Sequence, residues 1–312
     1  MTEDFVTFQL AAFHPIVTTW VDVAALRGNI QRELRREIEA WTAESKATIR
    51  FATSKPIPGA TPADYALREI FLDCGCVVIA QIHFYGQDIT KPFVRIHAQS
   101  RALSATEVVA AVRELAATFR VFAPQRVLFH SPQGGVDLTT LPGAEGDQRI
   151  YAGRISELIA LPRPRADMAL DLQGGDPREY YDEYAAIYDA FWAARPELHG
   201  RVLREPIESL VECHETGRCL HARVDGNLAA VVASSPSNFE GLDGWLVREE
   251  ILAPPFWRRG LGAALQRGLI DSLAGVENGI LFGTIDVVNV PSLRTATRCG
   301  RVDISGWVFV PV

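Results

Sequence analysis

The sequence predicts an α/β protein of mixed, twisted sheets flanked by helices and divided into two domains. Three observations predict it. First, 312 residues are long for one compact domain and comfortable for two, and 48% hydrophobic with 22% charged residues describes a soluble globular chain. Second, helical and alternating patterns succeed one another along the second half, as in a mixed sheet. Third, Ser131 to Gly146 and Leu161 to Arg165 read as connectors, the latter stiff and basic. A boundary is therefore expected near residue 160, giving domains 1–160 and 161–312.

In the first half, Phe5 to Leu10 reads as a strand, Val23 to Ala43 as a helical region and Ala47 to Ala52 as a strand. Cys76 to Tyr85 and Phe93 to Ala98 are expected strands, with Gly86-Gln87-Asp88 turning between them. Ser104 to Phe119 reads as a helix. Ser104 caps it, Glu107 completes a capping box, and Val108, Val109, Val112, Leu115 and Phe119 form an apolar stripe. Val127 to His130 is another strand.

In the second half, Ala169 to Leu172 is an expected strand. Pro177 to Ala194 is a helix with Asp176 as cap, and Pro206 to His214 a second one. Cys219 to Val224 and Leu228 to Ser234 alternate around Asp225-Gly226, a hairpin signal. Then come a strand at Gly244 to Leu252, a helix at Gly262 to Ala274, a strand at Ile280 to Val287 and a helix at Pro291 to Cys299. One or two strands at Val302 to Val310 end the chain.

A formal net charge of −7 argues against nucleic acid as a partner. No apolar run approaches membrane-spanning length, so no membrane is expected, and the start Met-Thr-Glu-Asp-Phe lacks the pattern of a signal peptide. Five cysteines give no disulfide framework, and Cys74-Gly75-Cys76 is too tight for a redox or zinc knuckle, which leaves packing. A reducing cytoplasm is expected. Arginine outnumbers lysine and alanine is abundant, which suggests a GC-rich bacterial genome.

The most informative stretch is Trp257-Arg258-Arg259-Gly260-Leu261-Gly262-Ala263, a glycine-rich turn between an expected strand and an expected helix. Backbone N–H groups at a helix start converge on one point, where the helix dipole favours negative charge. Gly260 and Gly262 would let that backbone close on a phosphate, and Arg258 and Arg259 add positive charge. Two readings stand: a pyrophosphate cradle, or a basic loop capping an ordinary helix.

This stretch resembles the acyl-CoA loop of the GNAT superfamily of N-acyltransferases, whose pattern is Gln/Arg-x-x-Gly-x-Gly/Ala. Trp257 departs from the polar first position. A second stretch, Asn289 to Arg301, resembles the family's Asn-x-x-Ser/Ala helix, which ends in a Gly-aromatic turn; here that turn is Gly300-Arg301. The resemblance implies tandem GNAT-like domains, clear in the second half and degenerate in the first, where Gln99 to Ala105 has no glycine. It implies acetyl-CoA as co-substrate, bound at Leu252, Arg258, Arg259, Gly260, Leu261, Gly262, Ala263, Asn289 and Ser292. Asn289 would bond the pantetheine arm, and Ser292 would lie beside the nucleotide end. No metal is expected.

Acyl transfer to an amine needs a base, a stabilised oxyanion and a tolerated thiolate. The family commonly places a glutamate on the strand before the loop. Here Glu250 is the expected base and Glu249 the second candidate, on opposite faces: Glu250 with Leu246 and Leu252, Glu249 with Trp245, Val247 and Ile251. A carboxylate among apolar neighbours has its pKa raised toward a useful range. A backbone N–H near Leu252 would polarise the thioester carbonyl. Many relatives carry a tyrosine as general acid where this chain has Ala296, flanked by Thr295 and Thr297.

Tyr181, Tyr184, Tyr188 and Phe191, with Trp192 adjacent, line one helix face, either as core or as an acceptor cradle. His83, His97 and His130 lie on three expected strands, either as satisfied histidines or as a metal triad, and His214 and His221 read as surface residues. The expectation is a direct-transfer N-acetyltransferase acting on a small-molecule amine, with a homodimer as one option and the oligomeric state left open. The alternative is a non-catalytic GNAT-like module that binds CoA to sense it or hold a partner.

Overall fold

The computed structural model describes residues 2–131, 137–163, 170–276 and 279–312. Parts of the expected connectors (132–136 and 164–165) and the start of the expected strand at 169 lie outside them. The chain forms two compact units: Met1–Gln148 with Phe239–Leu242 and Ile304–Val312, and Arg149–Asn238 with Asp243–Asp303.

The first unit begins with α1 (Thr2–Ala12), α2 (Val17–Trp20), α3 (Val23–Ala40) and α4 (Lys46–Ser54). Two expected strands are thus helices. Over Phe5–Leu10 the six-residue alternation misleads, because the buried set Phe5, Val6, Ala12 and Phe13 follows a helical repeat. Over Ala47–Ala52 the overlooked signal is Ser45, whose hydroxyl accepts from the Thr48 N–H (3.1 Å). Thr48, Phe51 and Ala52 then share one helix face, with Phe51 and Ala52 packed on the core.

β1 (Arg68–Phe71) and β2 (Val77–Phe84) join through Cys74-Gly75-Cys76, where Gly75 adopts φ +78° and Cys76 is fully buried. β3 (Pro92–Gln99), α5 (Ala105–Thr118) and β4 (Arg126–His130) follow. β1, β2 and β3 are antiparallel neighbours, and α5 carries the chain over so that β3 and β4 are parallel. Val108, Val112 and Leu115 of this helix, with Phe119 at its C-cap, bury themselves against Val78, Ile82, Val94 and Val127, at about 1.5–3 kcal/mol each. Val109 of the expected stripe is instead 39% exposed. The other neighbour of β4 is the C-terminal strand Val302–Pro311, antiparallel to it.

β5 (Glu145–Arg154) and α6 (Ile155–Ala160) lead up to the expected boundary near residue 160. In the second unit β6 (Leu172–Gly174) takes the place of the strand expected at Ala169–Leu172, which is displaced toward the C-terminus. α7 (Tyr181–Ala194) is preceded by a separate 3₁₀ turn, Pro177–Glu179, so the helix expected from Pro177 is interrupted at Tyr180. Asp176 still caps, accepting from the Arg178 N–H (3.0 Å). α8 (Ile207–Glu215), β7 (Cys219–Val224), β8 (Asn227–Phe239), β9 (Leu242–Leu252), α9 (Leu261–Ser272), β10 (Ile280–Asp286), α10 (Val290–Arg298) and β11 (Val302–Pro311) complete the chain. The β7–β8 turn has φ +50° at Asp225 and +82° at Gly226, the geometry an Asp-Gly hairpin favours.

Strand order in this unit is β6-β7-β8-β9-β10-β5, with β9 and β10 parallel across α9. Leu265, Leu269 and Ile270 of α9 cover one sheet face over Ala230, Val232 and Leu281. Tyr184, Ile187, Tyr188 and Leu210 from α7 and α8 cover the other, over Leu228, Val231 and Ile251. Arg267, buried, donates to the carbonyls of Leu158, Ile159 and Leu161 and so caps the C-terminal end of α6. No helix among the described residues is long and apolar enough to cross a membrane.

Candidate active site

β9 ends at Leu252, and the turn that follows is closed by a side chain. The Trp257 indole N–H donates to the Leu252 carbonyl (2.6 Å). Tryptophan at the first position of the loop therefore serves as a clasp. Arg258 (φ +65°) and Gly260 (φ +74°) both adopt the left-handed conformation, which costs about 1 kcal/mol at arginine and nothing comparable at glycine. Gly260 is the N-cap residue of α9. No side chain caps the helix and no acidic residue stands in its first turn, so its first N–H groups lack a side-chain acceptor. Gly262 has a different reason to be glycine: a Cβ there would lie 3.1 Å from Thr295 Oγ1, so its smallness lets α9 approach α10.

A cavity of about 530 Å³ opens before this helix start. Of the residues expected to bind the co-substrate, Leu252, Arg258, Gly260, Leu261, Gly262, Ala263, Asn289 and Ser292 line it. Arg259 does not; its guanidinium lies over the Phe256 ring (5.7 Å). Asn289 precedes α10 and its side chain caps nothing. Its position is fixed from below: Asp286 accepts from the Val288 N–H (2.9 Å) and from Arg201 Nε (2.6 Å). Arg294 and Arg298, one turn apart on α10, also line the cavity, and sequence reasoning missed them. Arg258, Arg294 and Arg298 are exposed, and none makes an ion pair among the described residues.

The two glutamates part ways. Glu250 lines the cavity and accepts from Gln266 Nε2 (2.5 Å); burial raises its pKa, and the Arg301 guanidinium opposes that rise. Glu249 is 4% exposed and sealed under α7. It accepts from the hydroxyls of Tyr184 and Tyr188 and from the Glu250 N–H (2.8 Å). Burial pushes its pKa up to about 8. The expected grouping of Glu249 with Trp245 and Val247 fails. Trp245, Val247 and Leu252 pack on the α9 side, whereas Ile251 packs on the α7 side. Strict alternation is thus broken by one residue between Val247 and Leu252.

Tyr184 and Tyr188 lie in the core, while Tyr188 and Phe191 also line the cavity, so the aromatic helix face serves as both core and wall. Their spacing of four was the signal for two hydroxyls on one carboxylate. Ala296 is fully buried, and Ser292 and Thr295 are the α10 hydroxyls on the cavity.

His83 and His97 meet Nε2 to Nε2 at 3.4 Å, and His97 Nδ1 reaches Glu37 (3.1 Å). Burial lowers the pKa of both. His130 is bonded instead to Ser305 (3.0 Å), so the three do not converge. No group of three or more metal-ligating side chains occurs among the described residues. His221 is not a surface residue: it is half-buried with its ring 4.6 Å from that of Tyr180. His214 is half-buried as well.

Residues 184–300 match the acetyltransferase (GNAT) family. Among solved structures the chain is similar to a GCN5-related N-acetyltransferase from Sphaerobacter thermophilus, at 10% identity over 86% of each chain and a TM-score of 0.51. It is also similar to a GNAT-family acetyltransferase from Colwellia psychrerythraea (10% identity, 75% of this chain and 85% of that one, TM-score 0.48). A tandem GNAT protein from the clavulanic acid biosynthesis pathway shares 14% identity over 87% of this chain and 96% of its own (TM-score 0.48). No curated protein matches the chain.

Proposed function

Since the chain carries a GNAT-family acetyltransferase domain, we propose that it moves the acetyl group of acetyl-CoA directly to the amine of a small molecule. The observation that carries this reading is the uncapped start of α9. It opens on a cavity of about 530 Å³ beside three unpaired arginines, with a half-buried carboxylate on the cavity wall.

The residues present fit the co-substrate. The α9 N–H groups suit a pyrophosphate, and Arg258, Arg294 and Arg298 suit further phosphate charge. Asn289 has an uncommitted amide for the pantetheine arm, and the cavity volume is within the range of ligand sites. Bound there, acetyl-CoA supplies an activated acyl thioester. Glu250 takes a proton from the acceptor ammonium. At the end of β9, beside the Trp257 clasp, the Leu252 N–H would polarise the thioester carbonyl, as the family resemblance implies. Tyr188, Phe191 and Trp257 give the acceptor an aromatic wall suited to an apolar or cationic body.

Direct transfer is supported by the thiols. None lines the cavity, and burial pushes Cys213 and Cys299 up to about 12 and Cys219 to about 11, so they stay protonated and poorly nucleophilic. The test is incubation with acetyl-CoA and a panel of small amines, following thiol release and acetylated product by mass. Transfer to at least one amine is expected. Tight acetyl-CoA binding without transfer to any would move the chain to the non-catalytic, CoA-binding reading.

A further inference from the structure

Arg301 stands where the GNAT resemblance has an aromatic residue, and it is an unusual guanidinium. It is 3% exposed. Its Nε and Nη2 reach the Tyr151 carbonyl (3.3 and 3.1 Å), and Nη2 reaches the Gly283 carbonyl at 3.4 Å. No carboxylate among the described residues lies within ion-pair distance of it. Space for it is made by a glycine: a Cβ on Gly283 would lie 3.2 Å from Arg301 Nη2 and 3.2 Å from Val247 Cβ. The guanidinium therefore sits under Val247, on the sheet face that carries Leu252 and, beyond the break in alternation, Glu250.

An arginine cannot discard its proton, and carbonyl partners alone compensate a buried cation poorly. The remedy is a nearby anion. Of the groups facing Glu250, Gln266 on α9 is neutral, and Arg267 on α9 is turned to the carbonyls of 158, 159 and 161 and to Asp271. Glu249 on β9 is enclosed by Tyr184 and Tyr188 on the opposite face. On the turn after α10 stand the Cys299 thiol, held protonated by burial and by Glu250's negative charge, and Arg301 itself. At the cavity rim Arg258, Arg294 and Arg298 are exposed, and Arg195 is paired with Glu197. Arg301 is the buried cation without an ion-pair partner among the described residues, on the sheet face of Val247 and Leu252.

We propose that Arg301 is a positioning residue that acts through the base: its buried guanidinium holds Glu250 as the carboxylate, ready to accept a proton. The step balances simply. An N–H bond of the acceptor ammonium breaks, an O–H bond forms on Glu250, and the amine keeps the electron pair with which it attacks. Arg301 is then left without its counter-charge, which favours release of that proton to water and resets the site. This inference rests on Glu250 being the base.

The test reads Glu250 without turnover. In protein labelled with ¹³C at glutamate side-chain carboxyls, Glu250 is identified as the resonance missing from Glu250→Gln and titrated in wild type, Arg301→Gln and Arg301→Lys. Arg301→Gln is expected to raise the proton affinity of Glu250 by about tenfold or more, and Arg301→Lys to stay within about threefold of wild type. An unchanged midpoint in Arg301→Gln, or equal shifts in both variants, overturns the proposal. Should Arg301→Gln not fold, Gly283→Ala decides. By displacing Nη2 it must move the midpoint upward, and no movement is the overturning result. Failure of the functional reading shows separately, as wild-type protein that does not bind acetyl-CoA or as transfer undiminished in Glu250→Gln.

Discussion

Two helices occupy corresponding places in the two units. α5 links the parallel pair β3 and β4, and α9 links the parallel pair β9 and β10. Their N-termini differ in one respect. At α5 the Ser104 hydroxyl accepts from the Glu107 N–H (3.3 Å), the Glu107 carboxylate accepts from the Ser104 N–H (2.8 Å), and Arg101 holds Glu107 down at about 2. That helix start already carries its own anion. At α9 the cap is a left-handed glycine with no acidic residue in the first turn, and the arginines around it are unpaired. One helix start is satisfied by the chain's own side chains, and the other has no side-chain acceptor.

The comparison is broken most decisively by chemistry. Glu250→Gln is expected to lower kcat about 10²–10⁴-fold on any accepted amine while leaving acetyl-CoA affinity near wild type. Undiminished turnover would remove Glu250 as the base. Next in size, Arg294→Ala with Arg298→Ala should weaken acetyl-CoA binding by about tenfold at low salt and reduce its salt dependence. Titrations at two ionic strengths check this.

A smaller effect concerns Glu249. Its folded pKa, about 8, lies above the ordinary 4.5, so between those values the native state holds a proton that the unfolded chain has lost. The stabilisation is fully present below about 4.5 and is lost as pH rises through 8, at about 1.4 kcal/mol per pH unit and on the order of 5 kcal/mol across the window. Thermal unfolding at pH 5 and pH 8 should show this slope in wild type and a flatter one in Glu249→Gln; parallel slopes would contradict it. Smallest, Ser104→Ala should cost about 1 kcal/mol in denaturant unfolding and leave acetyl-CoA binding unchanged. A second binding site appearing on loss of that cap would undo the contrast between the helices.

Local signals carried most of what was legible in the sequence. Ser104 with Glu107, Asp225-Gly226 and the Gly260 turn each act within a few residues, and each forms as its pattern implies. What escaped depends on distant neighbours. Phe5–Leu10 is too short for its period to separate strand from helix. The side of the sheet that Glu249 faces depends on a break in alternation that its own residues do not announce. Trp257 looked like a defect in the loop pattern, and only the position of the Leu252 carbonyl reveals it as a clasp. Arg301 in an aromatic position gains meaning only beside Gly283, 18 residues upstream.

Calorimetric titration with acetyl-CoA tests the contrast between the two helix starts most directly. Wild-type protein is expected to bind one equivalent per chain, and Gly260→Glu, which places a carboxylate at the α9 cap, to bind none. No heat of binding at millimolar ligand, two equivalents per chain, or full binding by Gly260→Glu would contradict it.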